Sequence, residues 1–297
     1  MTTENDCSKV SPTAKLVAYP RRFSGIQYAA QISDLIRAES AAREILGDNL
    51  DKDIPFLATL TEVRYKAQDR EVTKLGVKNI LELAAGILPR GLIFSSVIGN
   101  KYVASDLPEM IGENERICRA LVGESGINSR TGLSFAPVDV LDYGQIERAI
   151  SVFNGEPFAV MCEGLHMYFD DNEKLSISRN INRACRLHNG VWVTTDFVNK
   201  ESVAKAYQDF SEEYRAIRSE THRRVNRITG RPINFFVSEE VAKKHAKDAG
   251  FGCQMSPFYD GSYQIHCLEE LGVEPGLKGK LENFMTKTNV AVLTPSD

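Results

Sequence analysis

The chain lacks the features of several protein classes. Its 36 Lys and Arg residues do not balance its 40 Asp and Glu residues, and the net charge is −4, whereas nucleic-acid-binding domains are usually basic. No apolar run approaches the roughly 18–20 residues that a membrane-spanning helix needs. We therefore expect neither a nucleic acid nor a membrane as a partner.

Paired cysteines and metal-binding motifs are also missing. The six cysteines include no C-x-x-C and the five histidines no H-x-x-x-H, so neither a disulfide framework nor a zinc site is expected. The polar, acidic start of the chain does not resemble a secretory signal. We expect reduced thiols in a cytoplasmic protein, with a disordered tail over residues 1–18.

What the chain does have is the composition of an ordinary globular protein. It contains 297 residues, of which 42% are hydrophobic and 26% charged. This length allows one large domain, or a core domain with a cap.

Residues 79–106 form the most informative segment. The apolar run Ile80-Leu81 with Leu83 predicts a buried strand, and Gly86 predicts a turn that lets the backbone approach a ligand. A second strand ends in Asp106, twenty residues after Gly86. Nucleotide-binding half-domains place their ribose-binding acid at this distance, so the segment predicts an adenosine-containing cofactor.

The turn after the first strand disfavours a pyrophosphate. It lacks the full G-x-G-x-x-G, Pro89 has no N–H to offer a phosphate, and Arg90 is the only fixed positive charge nearby. A cofactor with a ribose but no phosphate fits better, and S-adenosylmethionine is the obvious one. The competing interpretation is that Gly86 is only a tight turn and that Asp106 is only a strand-end cap.

Strands and helices alternate after residue 79. The predicted strands cover residues 79–83, 101–105, 133–138, 158–162 and 191–197, and the predicted helices between them cover residues 108–123, 143–153 and 172–187. This alternation is typical of a doubly wound, mostly parallel α/β sheet, in which ligands bind beyond the carboxyl ends of the strands.

We divide the chain into five segments on this basis. Helical periodicity over residues 26–47 and 56–75 predicts an amino-terminal helical segment, and a charged insertion looks like a cap over the site. A solvated pair of surface helices is the alternative to a cap. The segments are a tail (1–18), the amino-terminal helices (19–78), the cofactor-binding core (79–199), a helical cap (200–250) and carboxyl-terminal strands completing the sheet (251–297).

Five motifs in order resemble a class I S-adenosylmethionine-dependent methyltransferase. More narrowly, they resemble the leucine carboxyl methyltransferase superfamily and, within it, the polyketide-synthesis O-methyltransferases of tetracenomycin type. The motifs cover residues 82–92, 105–110, 139–142, 163–168 and 192–196. The resemblance implies a Rossmann-like fold with a seven-stranded sheet, and methyl transfer from S-adenosylmethionine to a carboxylate or phenolic oxygen of a polyketide-like small molecule.

The resemblance also implies site residues. Asp106 would bind both ribose hydroxyls, Gly86 would pass close to the methionine part of the cofactor, and Arg64 would bind its carboxylate. Asp142 competes with Asp139 for a contact to the adenine, and either could instead cap a helix. The full predicted cofactor-binding set is Arg64, Glu82, Ala84, Gly86, Asp106, Leu107, Asp139, Val140, Glu163 and Gly164.

Two further residues are predicted on the substrate side. A phenolic acceptor, with a pKa of about 10, would benefit from a general base, whereas a carboxylate would not. His166 is the candidate base and Tyr168 its companion. The competing interpretations are a buried His166 without a catalytic role and a purely structural Glu163.

Two other functions were weighed. A nicotinamide-dependent oxidoreductase would share the fold and Asp106, but no tyrosine has a lysine four residues later, as a Tyr-x-x-x-Lys pair would require. A catalytically silent protein that binds S-adenosylmethionine or acts as a scaffold stays open. The methyl acceptor and the assembly are also open, and a homodimer is one assembly that the sequence allows.

Overall fold

A seven-stranded sheet forms the centre of the computed structural model, which describes residues 11–296. The strand order is β3-β2-β1-β4-β5-β7-β6. Pairs among β1 to β5 are parallel, and β7 runs antiparallel to both β5 and β6. The predicted α/β fold with a mostly parallel sheet is therefore confirmed, and β7 makes the sheet mixed. The strands are β1 (Asn79–Leu83), β2 (Lys101–Asp106), β3 (Leu133–Pro137), β4 (Ala159–Cys162), β5 (Val191–Thr194), β6 (Phe251–Pro257) and β7 (Asn289–Pro295).

The central strands are apolar because helices cover both of their faces. Every residue of β1, β4 and β5 is buried. Alternate residues enter two different cores: Leu81 and Trp192 pack on one face, and Ile80 and Val193 pack on the other. This is the pattern expected of strands in a doubly wound sheet.

Thirteen α-helices are found within residues 11–296, four of them before the first strand. Within the same residues, no helix is both long and apolar enough to cross a membrane. The helices are α1 (Ser11–Arg21), α2 (Ala29–Leu35), α3 (Ala38–Leu46), α4 (Asn49–Leu75), α5 (Arg90–Phe94), α6 (Pro108–Asn128), α7 (Tyr143–Ile150), α8 (Asp171–Leu187), α9 (Lys200–Ala206), α10 (Glu212–Thr229), α11 (Glu239–Asp248), α12 (His266–Glu270) and α13 (Pro275–Thr286).

The prediction of a disordered tail over residues 1–18 is wrong for residues 11–18, which belong to α1. Leu16 and Ala18 are buried in a cluster with residues of α3 and α4. Burial of these apolar side chains stabilises a helix whose own periodicity is weak. The rest of that prediction lies outside the described residues.

Two predicted helices are interrupted. The segment 26–47 contains α2 and α3, separated where Arg37 adopts a left-handed φ of 53°. The charged segment after residue 200 contains α9 and α10, separated by a 3₁₀ turn at Tyr207–Asp209. Gly76 ends α4 in the left-handed conformation, as the sequence predicts.

The last segment of the chain, predicted as strands, is more complex. Helices α12 and α13 lie between β6 and β7. They were missed because α12 is only five residues long and α13 has little apolar periodicity. The division of the chain into domains stays a prediction.

Candidate functional site

A cavity of ≈ 340 Å³ lies at the carboxyl edge of the sheet. Its walls include the segments that follow β1, β2, β3 and β4, and α1, α4 and α10 supply further lining residues. This is the position that the strand-end rule predicts for a ligand on such a sheet. Its size lies within the range of small-molecule sites.

The structure brings most of the predicted site residues together on the wall of this cavity. Glu82 and His166 do not line it. The predicted residues that do are Arg64, Ala84, Gly86, Asp106, Leu107, Asp139, Val140, Glu163, Gly164 and Tyr168.

Asp106 connects the end of β2 to the turn after β1. Its carboxylate accepts the backbone N–H of Gly86 at 2.8 Å and that of Leu107 at 2.7 Å. Burial raises the pKa of Asp106 above its ordinary value of 3.8, and these two N–H groups lower it in part. A carboxylate has about four acceptor positions, so two remain for a ligand.

The turn after β1 is held in an unusual backbone conformation. Ala84 has φ 52° and Gly86 has φ 54°, a region that is costly for alanine and easy for glycine. Asn114 fixes the turn from α6 by donating its side-chain N–H to the Gly86 carbonyl at 2.7 Å. The turn backbone thus lies against the cavity without a bulky side chain at Gly86.

The structure separates the roles of Asp139 and Asp142. Asp142 is the N-cap of α7 and accepts the Gly144 backbone N–H at 2.8 Å. Asp139 lines the cavity and accepts the Leu141 backbone N–H at 2.9 Å. Asp139, with Val140 beside it, is therefore the one of the two acids that a bound ligand can contact.

Glu163 lies at the centre of a buried cluster of positive charge. Its Oε1 is 3.0 Å from Arg21 Nη2 and 3.9 Å from Arg64 Nε, and its Oε2 is 3.9 Å from Arg90 Nη2. Although burial alone would raise it, the three guanidinium groups lower the pKa of Glu163 below 4.5. The group is therefore an anion at neutral pH.

Two polar atoms of this cluster have no hydrogen-bond partner among residues 11–296. They are Oε2 of Glu163 and Nε of Arg21, and both are buried. Both side chains line the cavity, but these two atoms themselves are shielded from it. The cluster places one carboxylate, that of Glu163, and the guanidinium groups of Arg21 and Arg64 at the cavity wall.

Asp196, which sequence reasoning did not select, shapes the loop after β4. Its carboxylate accepts the backbone N–H groups of Gly164 at 2.6 Å, Leu165 at 2.7 Å and His166 at 3.0 Å. Arg64 donates to the same carboxylate at 3.5 Å. Asp196 thereby holds both Gly164 and Arg64 at the cavity wall.

Glu82 is not a ligand-binding residue of this cavity, and that prediction is wrong. It is buried within β1, where it forms an ion pair with Arg90 and accepts the Tyr102 hydroxyl at 2.5 Å. Burial raises the pKa of Glu82, and the Arg90 charge opposes this effect. Arg90 also donates a hydrogen bond to Asp69 at 2.8 Å, so its guanidinium group is paired with residues outside the cavity wall.

His166 is also wrongly predicted as a base at the site. Its ring is fully buried against Trp192, at a centroid distance of 5.2 Å, and Phe197, at 5.9 Å. Burial, with the charges of His245 and Lys174, lowers the pKa of His166 well below 6.5. The 3₁₀ turn His166–Tyr168 directs His166 into the core, whereas Tyr168 lines the cavity.

Helix α10 is tied to α4 beside the cavity. Arg218 donates to Asp53 at 2.5 Å, and the Thr221 hydroxyl donates to the same Asp53 oxygen at 2.7 Å. The Arg218 guanidinium also lies 4.1 Å from the centroid of the Phe56 ring. Because Arg218 and Thr221 line the cavity, this pairing positions the predicted cap at the site.

Three site residues escaped sequence reasoning. Arg21 lies just after the predicted tail, His222 lies in a charged helical segment, and Asp196 is the last residue of the fifth motif. Only the position of Asp196 at a strand end was a usable signal. The site can hold an elongated polar ligand with a charged amino-acid end near Glu163 and hydroxyl groups near Asp106.

The chain matches no protein-family model and no curated protein. It is similar in structure to a DUF574 family protein from Streptomyces avermitilis, with a TM-score of 0.59, 12% identity, and 96% of this chain and 97% of the other covered. It is also similar to the methyltransferase domain of bacterial CtHen1, with a TM-score of 0.50, 12% identity, and 79% and 99% covered. These similarities show the fold, which is the Rossmann-like fold of a methyltransferase domain.

Proposed function

We propose that this protein is an S-adenosylmethionine-dependent methyltransferase that methylates an oxygen of a small molecule. The observation that carries the proposal is the order of groups along the cavity. In the strand order β3-β2-β1-β4, Asp139 and Val140 follow β3, Asp106 ends β2, the Gly86 turn follows β1 and Glu163 follows β4. A nucleoside joined to an amino acid presents its parts in this same order.

Each part of the cofactor finds a chemical partner. Val140 and Leu107 offer apolar contact to the adenine, and Asp106 keeps acceptor positions for the ribose hydroxyls. At the other end, the negative charge of the Glu163 carboxylate suits an α-ammonium group, and the guanidinium groups of Arg21 and Arg64 suit an α-carboxylate. The residues present therefore fit S-adenosylmethionine.

A dinucleotide fits this cavity poorly. Arg90, the cation that follows the β1 turn in the sequence, is buried in ion pairs with Glu82 and Asp69 and does not line the cavity. Pro89 contributes no N–H. A pyrophosphate at this turn would lie near the Asp106 carboxylate, and the Arg21 and Arg64 side chains of the cavity wall are already paired with Glu163 and Asp196, so an oxidoreductase is disfavoured.

The protein's contribution to the reaction is positioning. S-adenosylmethionine supplies a methyl group already activated by its sulfonium, so no protein nucleophile is needed. Holding the acceptor oxygen in line with that methyl group can be worth about 7–11 kcal/mol. Helices α1 and α10 beside the cavity would limit the access of water.

The acceptor is proposed to be a polyketide-like small molecule with a phenolic or carboxylate oxygen. The many apolar side chains of the cavity wall, such as Leu57, Leu60 and Met110, support an apolar acceptor. We propose that neither a nucleic acid nor a membrane is the partner, on the strength of the net charge of −4.

Calorimetric titration tests the cofactor. We expect S-adenosylmethionine and S-adenosylhomocysteine to bind at one site per chain, and nicotinamide dinucleotides not to bind. Binding of a dinucleotide without S-adenosylmethionine would reject the proposal. Release of S-adenosylhomocysteine with a panel of phenols and aromatic carboxylates then separates an enzyme from a protein that only binds the cofactor.

A further inference from the structure

A second, smaller cavity adjoins the one described above. Its volume is ≈ 100 Å³. The two cavities share part of their walls, so they lie next to each other, and we call the shared residues the neck. The residues that line both are Leu60, Arg64, Met167, Arg218 and His222.

Five aromatic side chains among residues 11–296 line the second cavity. Phe56 stacks on Tyr207 with ring centroids 5.8 Å apart and an interplanar angle of 14°, and it meets Phe284 edge-on at 4.9 Å. Phe235 and Phe258 line the same space. At ≈ 100 Å³ this cavity is smaller than the cavity of about 150 Å³ that holds benzene, so it excludes a fused ring system, and a single aromatic ring would need part of the space beside the shared wall as well.

The polar side chains at the neck differ in whether they already have hydrogen-bond partners. Arg64 pairs with Asp196 and Thr195, and Arg218 pairs with Asp53 and Tyr207. The imidazole of His222 makes no hydrogen bond with any residue in the range 11–296; its nearest aromatic neighbour is Phe235, at a centroid distance of 6.4 Å. His222 is therefore the neck residue with a free acceptor atom.

We propose that the second cavity binds one aromatic ring of the methyl acceptor, with the acceptor hydroxyl at the neck against His222, which takes the hydroxyl proton. This inference rests on the proposed methyltransferase function. It names an aromatic alcohol as the acceptor class and makes His222, not His166, the catalytic base.

The proton balance of the step is complete. The acceptor oxygen forms a bond to the methyl carbon, the bond from that carbon to sulfur breaks, and its electron pair stays on sulfur. The hydroxyl proton passes to the unprotonated ring nitrogen of His222 and then to solvent. No oxidant, reductant or metal ion enters the balance.

The protonation state of His222 suits this role. Burial, together with the charge of Arg218, lowers the pKa of His222 to about 4. The imidazole is therefore neutral at pH 7 and can accept a hydrogen bond. An oxygen that is being methylated becomes far more acidic than the starting hydroxyl, so even this weak base can receive its proton.

The first test replaces the base. His222→Gln keeps a hydrogen-bond acceptor but cannot take the proton, so kcat for a single-ring phenol should fall by roughly 100-fold or more. The loss should be much smaller for a nitrophenol, which is partly ionised without help. Equal losses for both acceptors, or no loss for either, would overturn the role of His222.

The second test fills the cavity. Val203 lies on α9 and lines only the second cavity, so Val203→Phe should raise KM for the phenol and leave the Kd of S-adenosylhomocysteine unchanged. Val241→Phe, the same change at an exposed position of α11, is the control and should alter neither. An unchanged KM in Val203→Phe would overturn the location of the acceptor.

Measuring cofactor binding and phenol binding separately distinguishes a failure of this inference from a failure of the proposed function. If the wild-type protein binds no S-adenosylhomocysteine, the proposed function fails. If it binds S-adenosylhomocysteine but neither binds nor methylates any single-ring phenol, only the present inference fails. Saturation-transfer NMR with the phenol panel, in the presence of S-adenosylhomocysteine, gives that second answer without requiring turnover.

Discussion

The backbone N–H of Gly86 donates a hydrogen bond of 2.8 Å to Oδ2 of Asp106. One carboxylate therefore fixes the turn after β1 to the end of β2, twenty residues further along the chain. The same carboxylate keeps acceptor positions toward the cavity. The shape of the turn, and the ribose contact in the proposed cofactor site, therefore depend on one carboxylate.

Replacing Asp106 tests this dependence. Asp106→Asn loses the negative charge that would bind the ribose hydroxyls, and hydrogen bonds to charged groups are worth about 1.5–3 kcal/mol. We expect S-adenosylhomocysteine to bind roughly 10–100-fold more weakly in calorimetry. Asp142→Asn, a change at the N-cap of α7, is the matched control and should bind like the wild type. Equal affinities in all three proteins would contradict the role of Asp106.

Glu163→Gln should destabilise the fold and change its response to acid. The change leaves the buried guanidinium group of Arg21 without its counter-charge, at a cost of about 3–5 kcal/mol, whereas Arg64 keeps its pairing with Asp196. Because the folded-state pKa of Glu163 lies below 4.5, its ionised form stabilises the wild type above that pH. This stability is lost as the pH falls through the folded-state pKa.

Urea unfolding at pH 7 and at lower pH values measures both effects of Glu163→Gln. The exposed Glu213→Gln serves as the control and should unfold like the wild type. The variant should lose part of the acid dependence as well as part of the free energy of unfolding. An acid dependence identical to that of the wild type would show that Glu163 is not ionised in the folded protein.

The pairing of Asp53 with Arg218 should hold α10 in place. Asp53→Ala leaves Arg218 buried without a partner and should lower the free energy of unfolding by about 3–5 kcal/mol. The double variant Asp53→Ala/Arg218→Met removes the unpaired charge, so it should be more stable than Asp53→Ala alone. Urea unfolding measures both. A double variant less stable than the single one would mean that Arg218 acts mainly through its contact with Phe56.

His166→Leu should leave S-adenosylhomocysteine binding intact. The folded-state pKa of His166 lies well below 6.5, so wild-type stability should fall as the pH drops below about 6.5, where the unfolded chain takes up a proton. One histidine contributes a slope of up to about 1.4 kcal/mol per pH unit. The variant should show a shallower slope in urea unfolding between pH 7 and pH 5. A large loss of S-adenosylhomocysteine affinity would instead restore His166 to the site.

The strands near the site were predictable because their signals are local. Short apolar runs such as residues 79–83 are bounded by turn residues, and the carboxyl ends of parallel strands meet at one edge. Asp106 and Glu163 follow from that rule alone. The rule does not say which side of the strand end a side chain faces.

The two wrong site predictions, Glu82 and His166, concern side chains that point away from the cavity although residues close to them in the sequence line it. Glu82 is an acid in a buried strand, which resembles a functional residue, but it is neutralised by Arg90, eight residues later. His166 and Tyr168 share one 3₁₀ turn, and only Tyr168 lines the cavity. The direction of the His166 side chain depends on its packing against Trp192 and Phe197. The periodicity of the sequence does not reveal that packing.

Contacts between residues far apart in the sequence could not be predicted from local sequence patterns. Arg21 meets Glu163 across 142 residues of sequence, and His222 lies between two cavities formed by several helices and loops. A single sequence carries no signal for such pairs, because each partner alone resembles a surface cation or a surface histidine. The helix containing Arg21 is stabilised by the packing of its apolar residues on α3 and α4.

A crystal structure of the protein with S-adenosylhomocysteine tests the central claim most directly. We predict that the ribose hydroxyls lie within hydrogen-bond distance of Asp106 and the α-ammonium group within hydrogen-bond distance of the Glu163 carboxylate. The α-carboxylate should contact Arg21 or Arg64. Density for the compound elsewhere, or with its adenine at Glu163 and its amino-acid end beyond Asp106, would contradict the proposed cofactor site.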